Sequence, residues 1–250
     1  MKIQYLSDLH LEFRSNASWI AKHPIPVIGD ILVIAGDTHL LDDQYRKLDF
    51  FKDISDRFQQ TYVIPGNHEF YKGYDVAVCE GKIHEDLLPN VKLIHNDFVY
   101  HKDIKLIFST MWSFIEHFPD EISMGINDFR KINYKGNRLR ISDFNNIHNK
   151  CMDFIEGQVS ENGKKVVVTH HLPSVACNAE EHRDSHYNEA FCVDKTEFIT
   201  QSDVSYWIYG HNHRVLPPID LGGTKLLSNQ LGYVDHFEHR NFDPSKCIDL

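Results

Sequence analysis

Short apolar runs separated by polar stretches recur along the 250 residues of the chain. Runs of this kind cover residues 3–6, 31–35, 61–64, 164–169 and 204–209. A continuous aliphatic run is typical of a strand that is buried on both faces of a sheet covered by helices. The pattern therefore predicts an α/β fold whose strands end in polar loops.

Apolar positions spaced three and four residues apart predict helices between these strands. Residues 45–58 and 142–162 each carry an apolar stripe on a polar background. Residues 75–88, which end before a proline, are also predicted to be helical. Residues 98–108 are predicted to form two strands joined by a tight turn.

One long segment, residues 110–141, shows little periodicity. Such a segment is usually a lid or a binding loop, and we expect it to be an insertion of that kind in a single domain over residues 1–250. Arginine holds phosphate through a planar fork of donors, so the arginines here are candidates for phosphate binding, although a solvated position suits each equally well. Trp112 either stacks on a substrate base or packs in the core, and we favour the core. The arginines are Arg130, Arg138 and Arg140.

The charge balance and the cysteines narrow the classes of function. Lys and Arg number 26 and Asp and Glu 36, which gives a formal net charge of −10. An acidic chain is a poor match for a protein that tracks a nucleic-acid polymer, although bound cations can still attract a small anionic substrate. The five cysteines show no C-x-x-C spacing, so we expect a reduced, cytoplasmic protein. No apolar run reaches the roughly 18 residues of a membrane span, and we expect none.

Polar side chains of the kind that bind metals follow five of the predicted strands. Carboxylates, imidazoles and one amide, without a thiolate, suit Mn, Fe, Co, Ni or Zn better than Ca or a structural zinc. Seven such residues are too many for one tetrahedral site and suit two ions that share a carboxylate. Each motif alone is compatible with a surface turn, but Gly-His-x-His is expected by chance only roughly 0.06 times at this composition. The seven residues are Asp8, His10, Asp37, Asn67, His170, His211 and His213.

His68 follows directly on one of these candidates, Asn67. Neighbouring side chains near the end of an extended segment point in opposite directions. Asn67 can therefore present its carbonyl oxygen to a cation, while His68 stays available beside that cation as a proton donor.

The order of these motifs resembles that of a known family. Asp-x-His, Gly-Asp, Gly-Asn-His-Glu, a histidine after an apolar strand and Gly-His-x-His occur in turn between residues 8 and 213, and in this order they resemble the calcineurin-like metallophosphoesterases, in particular a small soluble bacterial-type branch. The tail of that branch often reads Asn-Pro-Arg-Gly-Tyr, where this chain has Gln230 and Leu231 in place of Pro-Arg. Leu40–Leu41 stand where a second acid often follows Gly-Asp. These departures leave the metal motifs intact and weaken inferences about substrate.

The resemblance implies a fold, a cofactor and a mechanism. The fold is a four-layer sandwich, with two mixed β-sheets face to face and helices outside. Two divalent transition-metal ions would supply a bridging hydroxide for in-line attack on phosphorus, and His68 would protonate the leaving oxygen. The implied ligands of one ion are Asp8, His10, Asp37 and His213, and those of the other are Asp37, Asn67, His170 and His211, with Asp37 as the bridge.

The function that we favour from the sequence is a phosphoester hydrolase with a small phosphorylated substrate, in particular a phosphodiesterase on small or nucleotide-like molecules. Arg130 and His171 are predicted to contact that substrate. A phosphomonoesterase is the alternative, because a pair of ions serves both reactions, and a third possibility is a scaffold of the same fold without catalysis. The identity of the ions, with manganese among them, and the oligomeric state stay open at this stage.

Overall fold

The computed structural model describes residues 1–182 and 184–250, and this part of the chain forms two six-stranded sheets and a small hairpin. The strands are β1 (Lys2–Leu6), β2 (Ile31–Ala35), β3 (Gln60–Ile64), β4 (Ile83–Leu88), β5 (Val91–His95), β6 (Asp97–His101), β7 (Ile104–Phe108), β8 (Asn133–Tyr134), β9 (Asn137–Arg138), β10 (Lys164–Val168), β11 (Tyr206–Tyr209), β12 (Ile219–Leu221), β13 (Thr224–Ser228) and β14 (Cys247–Asp249). The helices are α1 (Arg14–Lys22), α2 (Asp49–Arg57), α3 (Pro119–Gly125), α4 (Asp128–Lys131), α5 (Ile141–Val159) and α6 (Thr196–Gln201).

Both large sheets are mixed. The first has the strand order β14-β1-β2-β3-β5-β4, in which β1, β2, β3 and β5 are parallel and the two edge strands are antiparallel. The second has the order β12-β13-β11-β10-β7-β6, again with four parallel central strands and antiparallel edges. The small hairpin pairs β8 with β9.

The two sheets pack face to face through alternate side chains of their central strands. Val33 of β2 lies in one buried cluster with Val166 of β10 and Ile208 of β11. The intervening Leu32 packs in a cluster with α1 and α2, and Val167 packs in a third cluster with α5 and α6. Successive side chains of a strand point to opposite faces, so each central strand is buried on both sides. The expected four-layer sandwich is confirmed.

The strand order brings the polar loops together. The loops after β1, β2 and β3 are neighbours at the carboxyl edge of the first sheet, and those after β10 and β11 are neighbours in the second. The ring of His170 makes a 2.8 Å hydrogen bond to the carbonyl of Ala35, which joins the two sheets at this edge. The amide of Asp8 donates to the carbonyl of Gly36 at 3.0 Å. Five strand ends therefore meet at one place.

The helix expected over residues 75–88 is absent, and that prediction is wrong. A short 3-10 turn covers Val76–Glu80, and Ile83–Leu88 forms the edge strand β4. This strand pairs antiparallel with β5, with Ile83 opposite His95. Pairing with the sheet satisfies the backbone groups that a helix would satisfy internally, and the proline that suggested a helix end lies in the β4–β5 turn.

The other elements expected from periodicity are present with shifted ends. The helix over 45–58 starts at α2 after a 3-10 turn, and the helix over 142–162 is α5. The expected hairpin over 98–108 consists of β6 and β7. Among the described helices, none has the length and apolar content that a membrane crossing requires.

The irregular segment 110–141 contains α3, α4 and the β8–β9 hairpin. Trp112 near its start is fully buried, and its ring contacts those of Phe70 and Phe144. The expected packing of Trp112 in the core is therefore confirmed.

Candidate metal centre

The polar loops carry the ligand candidates on an unusual backbone. Asp8, His10, Asp37, His211 and His213 have positive φ angles between 47° and 82°. Holding a residue with a side chain in this left-handed region costs on the order of 1–3 kcal/mol. Hydrogen bonds between loops maintain it: the amide of His10 donates to the carbonyl of Asp37 at 2.9 Å, and the amide of His211 to the carboxylate of Asp8 at 3.0 Å. The fold thus maintains strain that directs these side chains towards one point.

The first group of donors consists of Asp8, His10, Asp37 and His213, whose ligand atoms all lie within 4.8 Å of one another. The Nε2 atoms of His10 and His213 are 2.9 Å apart. His10 Nε2 lies 3.6 Å from Oδ2 of Asp37, and His213 Nε2 lies 3.6 Å from Oδ1 of Asp8. Two imidazoles and two carboxylates therefore converge in a nearly buried space.

The second group consists of Asp37, His170 and His211, with Asn67 beside them. His170 Nε2 lies 3.4 Å from Oδ1 of Asp37, 3.2 Å from Oδ1 of Asn67 and 3.1 Å from Nδ1 of His211. Asp37 therefore presents one oxygen to each group. All seven sequence candidates come together in two clusters that share one carboxylate.

The hydrogen bonds on the far sides of the histidine rings show which atoms face inward. Nδ1 of His10 contacts a carboxylate oxygen of Glu12, Nδ1 of His213 one of Glu238, and Nδ1 of His170 the carbonyl of Ala35. These oxygens can only accept, so each Nδ1 carries a hydrogen and Nε2 is the ring nitrogen that faces inward. When these rings are neutral, the lone pairs of Nε2 face the carboxylates and cannot hydrogen-bond to them. The donor set therefore fits divalent transition-metal ions.

The pKa shifts of the buried groups also favour a bound cation. Burial alone would lower the pKa of His170, but the carboxylate of Asp37 more than offsets this and raises it to about 10. Burial would raise the pKa of Asp37, yet His170 and other neighbouring histidines hold it well below its usual range. Burial raises the pKa of Glu69 to about 8, with Asp37 adding to the effect. Asp37 therefore stays ionised, and the site favours a positive charge beside its carboxylate.

His68 lies beside the shared carboxylate of Asp37. Its amide donates to Oδ1 of Asp37 at 2.9 Å, while ring Nδ1 contacts Oε1 of Glu12 at 2.8 Å and Nε2 lies 3.3 Å from the Tyr233 hydroxyl. The ring centre lies 4.1 Å from that of Tyr71. Burial would lower the pKa of His68, but the carboxylates of Asp37 and Glu12 more than offset this and raise it.

A cavity of about 400 Å³ opens directly over both clusters. His68 and Tyr233 line one part, and residues 125–128 of the irregular segment form one wall. A second wall comes from Asn178, His182 and residues 185–191, where the sequence shows no pattern that suggests chemistry. In the described part of the chain, no Lys or Arg lines this cavity. The aromatic side chains that line it are Tyr71, Tyr187, Phe191 and Tyr233.

The two predicted substrate contacts do not line the cavity. The exposed Arg130 donates to the carbonyl of Gly125 and the side-chain oxygen of Asn127, so it braces its own loop. His171 is fully buried, with its ring centre 4.2 Å from that of His211, and neither ring nitrogen has a partner among the described residues. Burial holds the pKa of His171 well below its usual range. The geometry therefore favours a structural role for both residues over contact with a substrate.

Several residues of the site escaped sequence reasoning. Asp128 accepts hydrogen bonds from the side-chain nitrogen of Asn67 at 2.9 Å and from the Tyr71 hydroxyl at 2.7 Å. The first of these bonds turns the side-chain oxygen of Asn67 inward. Glu69 accepts from the amides of Asp37, at 3.0 Å, and Thr38, at 2.8 Å. Glu69 follows His68 in its motif and was open to inference, whereas Asp128 is brought in by tertiary structure alone. Glu12, Tyr233 and Glu238 also belong to this group.

The sequence matches the family described as Calcineurin-like phosphoesterase over residues 1–215. It is similar to "Uncharacterized protein L509" of Acanthamoeba polyphaga mimivirus, with 31% identity over 277 residues, covering 99% of this chain and 96% of that one. The fold is similar to that of a phosphopantetheinyl hydrolase from Mycobacterium tuberculosis, with a TM-score of 0.75, 16% identity and coverage of 99% of this chain and 95% of that one. A dimetal phosphatase from Danio rerio aligns with a TM-score of 0.47 and 13% identity over 98% of this chain and 89% of that one, a similarity too low to support an argument.

Proposed function

Because this chain belongs to the calcineurin-like phosphoesterases and is a metal-dependent phosphoester hydrolase, we propose that it is a phosphodiesterase acting on small or nucleotide-like molecules. One observation carries the proposal: two groups of nitrogen and oxygen donors meet at the two oxygens of Asp37 beneath an open cavity. Paired divalent ions that share a carboxylate are a recurrent arrangement for in-line phosphoester hydrolysis.

We assign the ligands from the two groups of donors. Asp8, His10, Asp37 and His213 would hold one ion. The second ion would be held by Asp37, Asn67, His170 and His211. The mixed imidazole and oxygen set suits Mn, Fe, Co, Ni or Zn, and manganese is the ion that we would supply first. When bound, such ions acidify a water for attack and neutralise the phosphoryl oxygens.

The protein's own residues prepare the rest of the reaction. Asp128 fixes the orientation of the Asn67 amide, and Glu238 fixes the ring of His213 through a 2.7 Å contact. His68 lines the cavity, with Nε2 near the Tyr233 hydroxyl, where it can give a proton to the leaving oxygen. Such proton transfer contributes roughly 10²- to 10⁴-fold to a rate.

The described residues that line the cavity support a preference for diesters over monoesters. A phosphate monoester carries more negative charge on its outer oxygens than a diester and gains more from cationic side chains. The described residues that line the cavity include neither Lys nor Arg, and their polar members are mainly Asn, His and Tyr. A monoesterase remains the alternative outcome of the test below, because the two groups of donors would serve both reactions.

The proposal extends to the organisation and location of the protein. The cluster that joins both sheets supports one domain over residues 1–250, with 110–141 as an inserted segment whose residues 125–128 help to enclose the substrate. The five cysteines are free in the structure, which supports a reduced, cytoplasmic environment.

Turnover of two matched substrates tests this function. Bis(4-nitrophenyl) phosphate and 4-nitrophenyl phosphate release the same chromophore, and each is assayed with Mn²⁺ added to metal-free protein. We expect faster turnover of the diester, and we expect His68→Ala to keep its bound metal and lose most turnover. Faster monoester turnover would support the phosphatase alternative. Turnover of neither substrate, with two ions bound, would point to the non-catalytic scaffold.

A further inference from the structure

We propose that Glu12 is a positioning residue that aligns His68 for proton transfer to the leaving oxygen. The inference rests on the proposed phosphodiesterase function, because it assigns a role within that reaction. Glu12 is none of the seven ligand candidates and does not line the cavity. Its carboxylate contacts one ligand candidate, His10, and the proton donor, His68.

The evidence is that two histidine rings share one carboxylate oxygen of Glu12, in a place that is nearly closed to water. Oε1 of Glu12 lies 2.8 Å from Nδ1 of His68 and 3.2 Å from Nδ1 of His10. The side chain of Glu12 is only 9% exposed, and Oε2 has no partner among the described residues. A carboxylate in such a place strengthens the hydrogen bonds that it accepts, because little water competes for it.

The contact with Glu12 fixes the tautomer and direction of the His68 ring. A carboxylate only accepts hydrogen bonds, so Nδ1 of His68 carries a hydrogen and Nε2 is the atom available for proton transfer. The Tyr233 hydroxyl, 3.3 Å from Nε2, marks the direction in which this atom points, and both residues line the cavity. Among the described residues, Glu12 is the only carboxylate that is hydrogen-bonded to the His68 ring.

During the reaction, Glu12 holds the His68 ring in this orientation and does not itself exchange a proton. The oxygen of one water forms the new bond to phosphorus, and the bond from phosphorus to the leaving oxygen breaks with its electron pair on that oxygen. The leaving oxygen takes the proton from Nε2 of His68. The proton that the water loses passes to solvent, from which His68 is protonated again, so that a diester and water give a monoester and an alcohol.

The chain offers a matched control for the second contact of Glu12. Glu238 lies 2.7 Å from Nδ1 of His213, as Glu12 lies close to Nδ1 of His10, but no contact links Glu238 to His68 among the described residues. Glu238 also accepts from the backbone amide of Tyr233 at 2.7 Å, a bond that the glutamine oxygen can keep. Glu238→Gln therefore perturbs the orientation of a ligand ring and makes no direct contact with the proton donor. Glu12→Gln perturbs both.

A series of aryl methyl phosphodiesters, whose leaving phenols differ in acidity, separates the two effects. We expect Glu12→Gln to lower kcat about 10- to 100-fold for the least acidic phenol and progressively less for more acidic ones, because acidic phenols leave without protonation. Its KM should change little. Glu238→Gln should weaken Mn²⁺ binding, measured by calorimetry, and lower kcat by the same factor across the series. In a His68→Ala background, Glu12→Gln should add little further loss of kcat.

Two kinetic results would overturn the inference: an equal loss of kcat across the series for Glu12→Gln, or the same fractional loss with and without His68. A second readout does not need turnover. In ¹⁵N-histidine spectra of metal-free and Zn²⁺-loaded protein, we expect a proton on Nδ1 of His68, shifted by Glu12→Gln and unchanged by Glu238→Gln. A proton on Nε2 alone would overturn the inference. If the wild type hydrolyses no diester, the proposed function fails, while these spectra still decide whether Glu12 fixes His68.

Discussion

Replacing Gly66 by alanine would place a methyl group inside the metal centre. A Cβ at this position would lie 2.7 Å from Nε2 of His170 and closer still to Oδ1 of Asp37. Gly66 does not adopt the left-handed backbone that favours glycine, so the effect would come from the collision with these two side chains and not from backbone strain.

The size of the effect follows from the space available. Ordinary contacts of a Cβ begin at about 3.4 Å, so Nε2 of His170 would have to retreat by about 0.7 Å and Asp37 by more. A misplacement of about 1 Å in a catalytic arrangement costs roughly 10²-fold in rate. We therefore expect Gly66→Ala to lower kcat by at least that factor and to weaken binding of the ion at Asn67, His170 and His211.

The assay compares diester turnover, metal content and thermal unfolding of this variant with those of Gly157→Ala. Gly157 lies inside α5, and a Cβ there meets no atom within 4 Å. Alanine is favoured over glycine in a helix by roughly 0.8–1.0 kcal/mol, so the control should unfold at a higher temperature with unchanged turnover. Two tightly bound ions and wild-type turnover in folded Gly66→Ala would refute the reasoning.

Three further predictions follow from the same geometry. Asp37→Ala should reduce the affinity for both ions together, because each oxygen serves one donor group; a variant that keeps two tightly bound ions by elemental analysis would contradict the bridge. Removing the ions with a chelator should lower the melting temperature, because ions that bind only the folded state stabilise it by mass action; identical melting curves with and without Mn²⁺ would contradict a preformed site. Burial lowers the pKa of His95 and of His148 to about 4. Between about pH 6.5 and pH 4, these two histidines are therefore protonated in the unfolded chain and neutral in the folded chain. In the metal-free protein each of these two histidines should contribute a loss of about 3 kcal/mol as the pH falls through this range. Urea unfolding at pH 7 and pH 4.5 should show less loss in His95→Gln than in the wild type, and an equal loss in both would contradict this assignment.

The local pattern of the sequence was sufficient to predict the strands and helices that show clear apolar periodicity. The apolar run at 31–35 indicates a strand buried on both faces, and β2 is one. Residues 75–88 show where such reasoning fails, because β4 is held by its pairing with β5 rather than by its own pattern. An edge strand with mixed polarity carries little signal of its own.

The residues of the candidate site also divide into those that could be recognised from the sequence and those that could not. The donors at strand ends were recognisable because parallel strands deliver their following loops to one edge of a sheet. Asp128, at the start of α4, and the wall formed by Asn178, His182 and residues 185–191 were not recognisable, because long-range packing that no local pattern determines brings them to the site. Arg130 was selected for its chemistry alone, and the structure shows its guanidinium bound to its own loop.

The central claim is that two ions share the carboxylate of Asp37, and electron paramagnetic resonance of the Mn²⁺-loaded protein tests it most directly. We predict that two equivalents of Mn²⁺ per chain give the spectrum of an exchange-coupled pair, which Asp37→Ala abolishes. Binding of a single equivalent, or two equivalents with only the signal of isolated Mn²⁺, would contradict the claim.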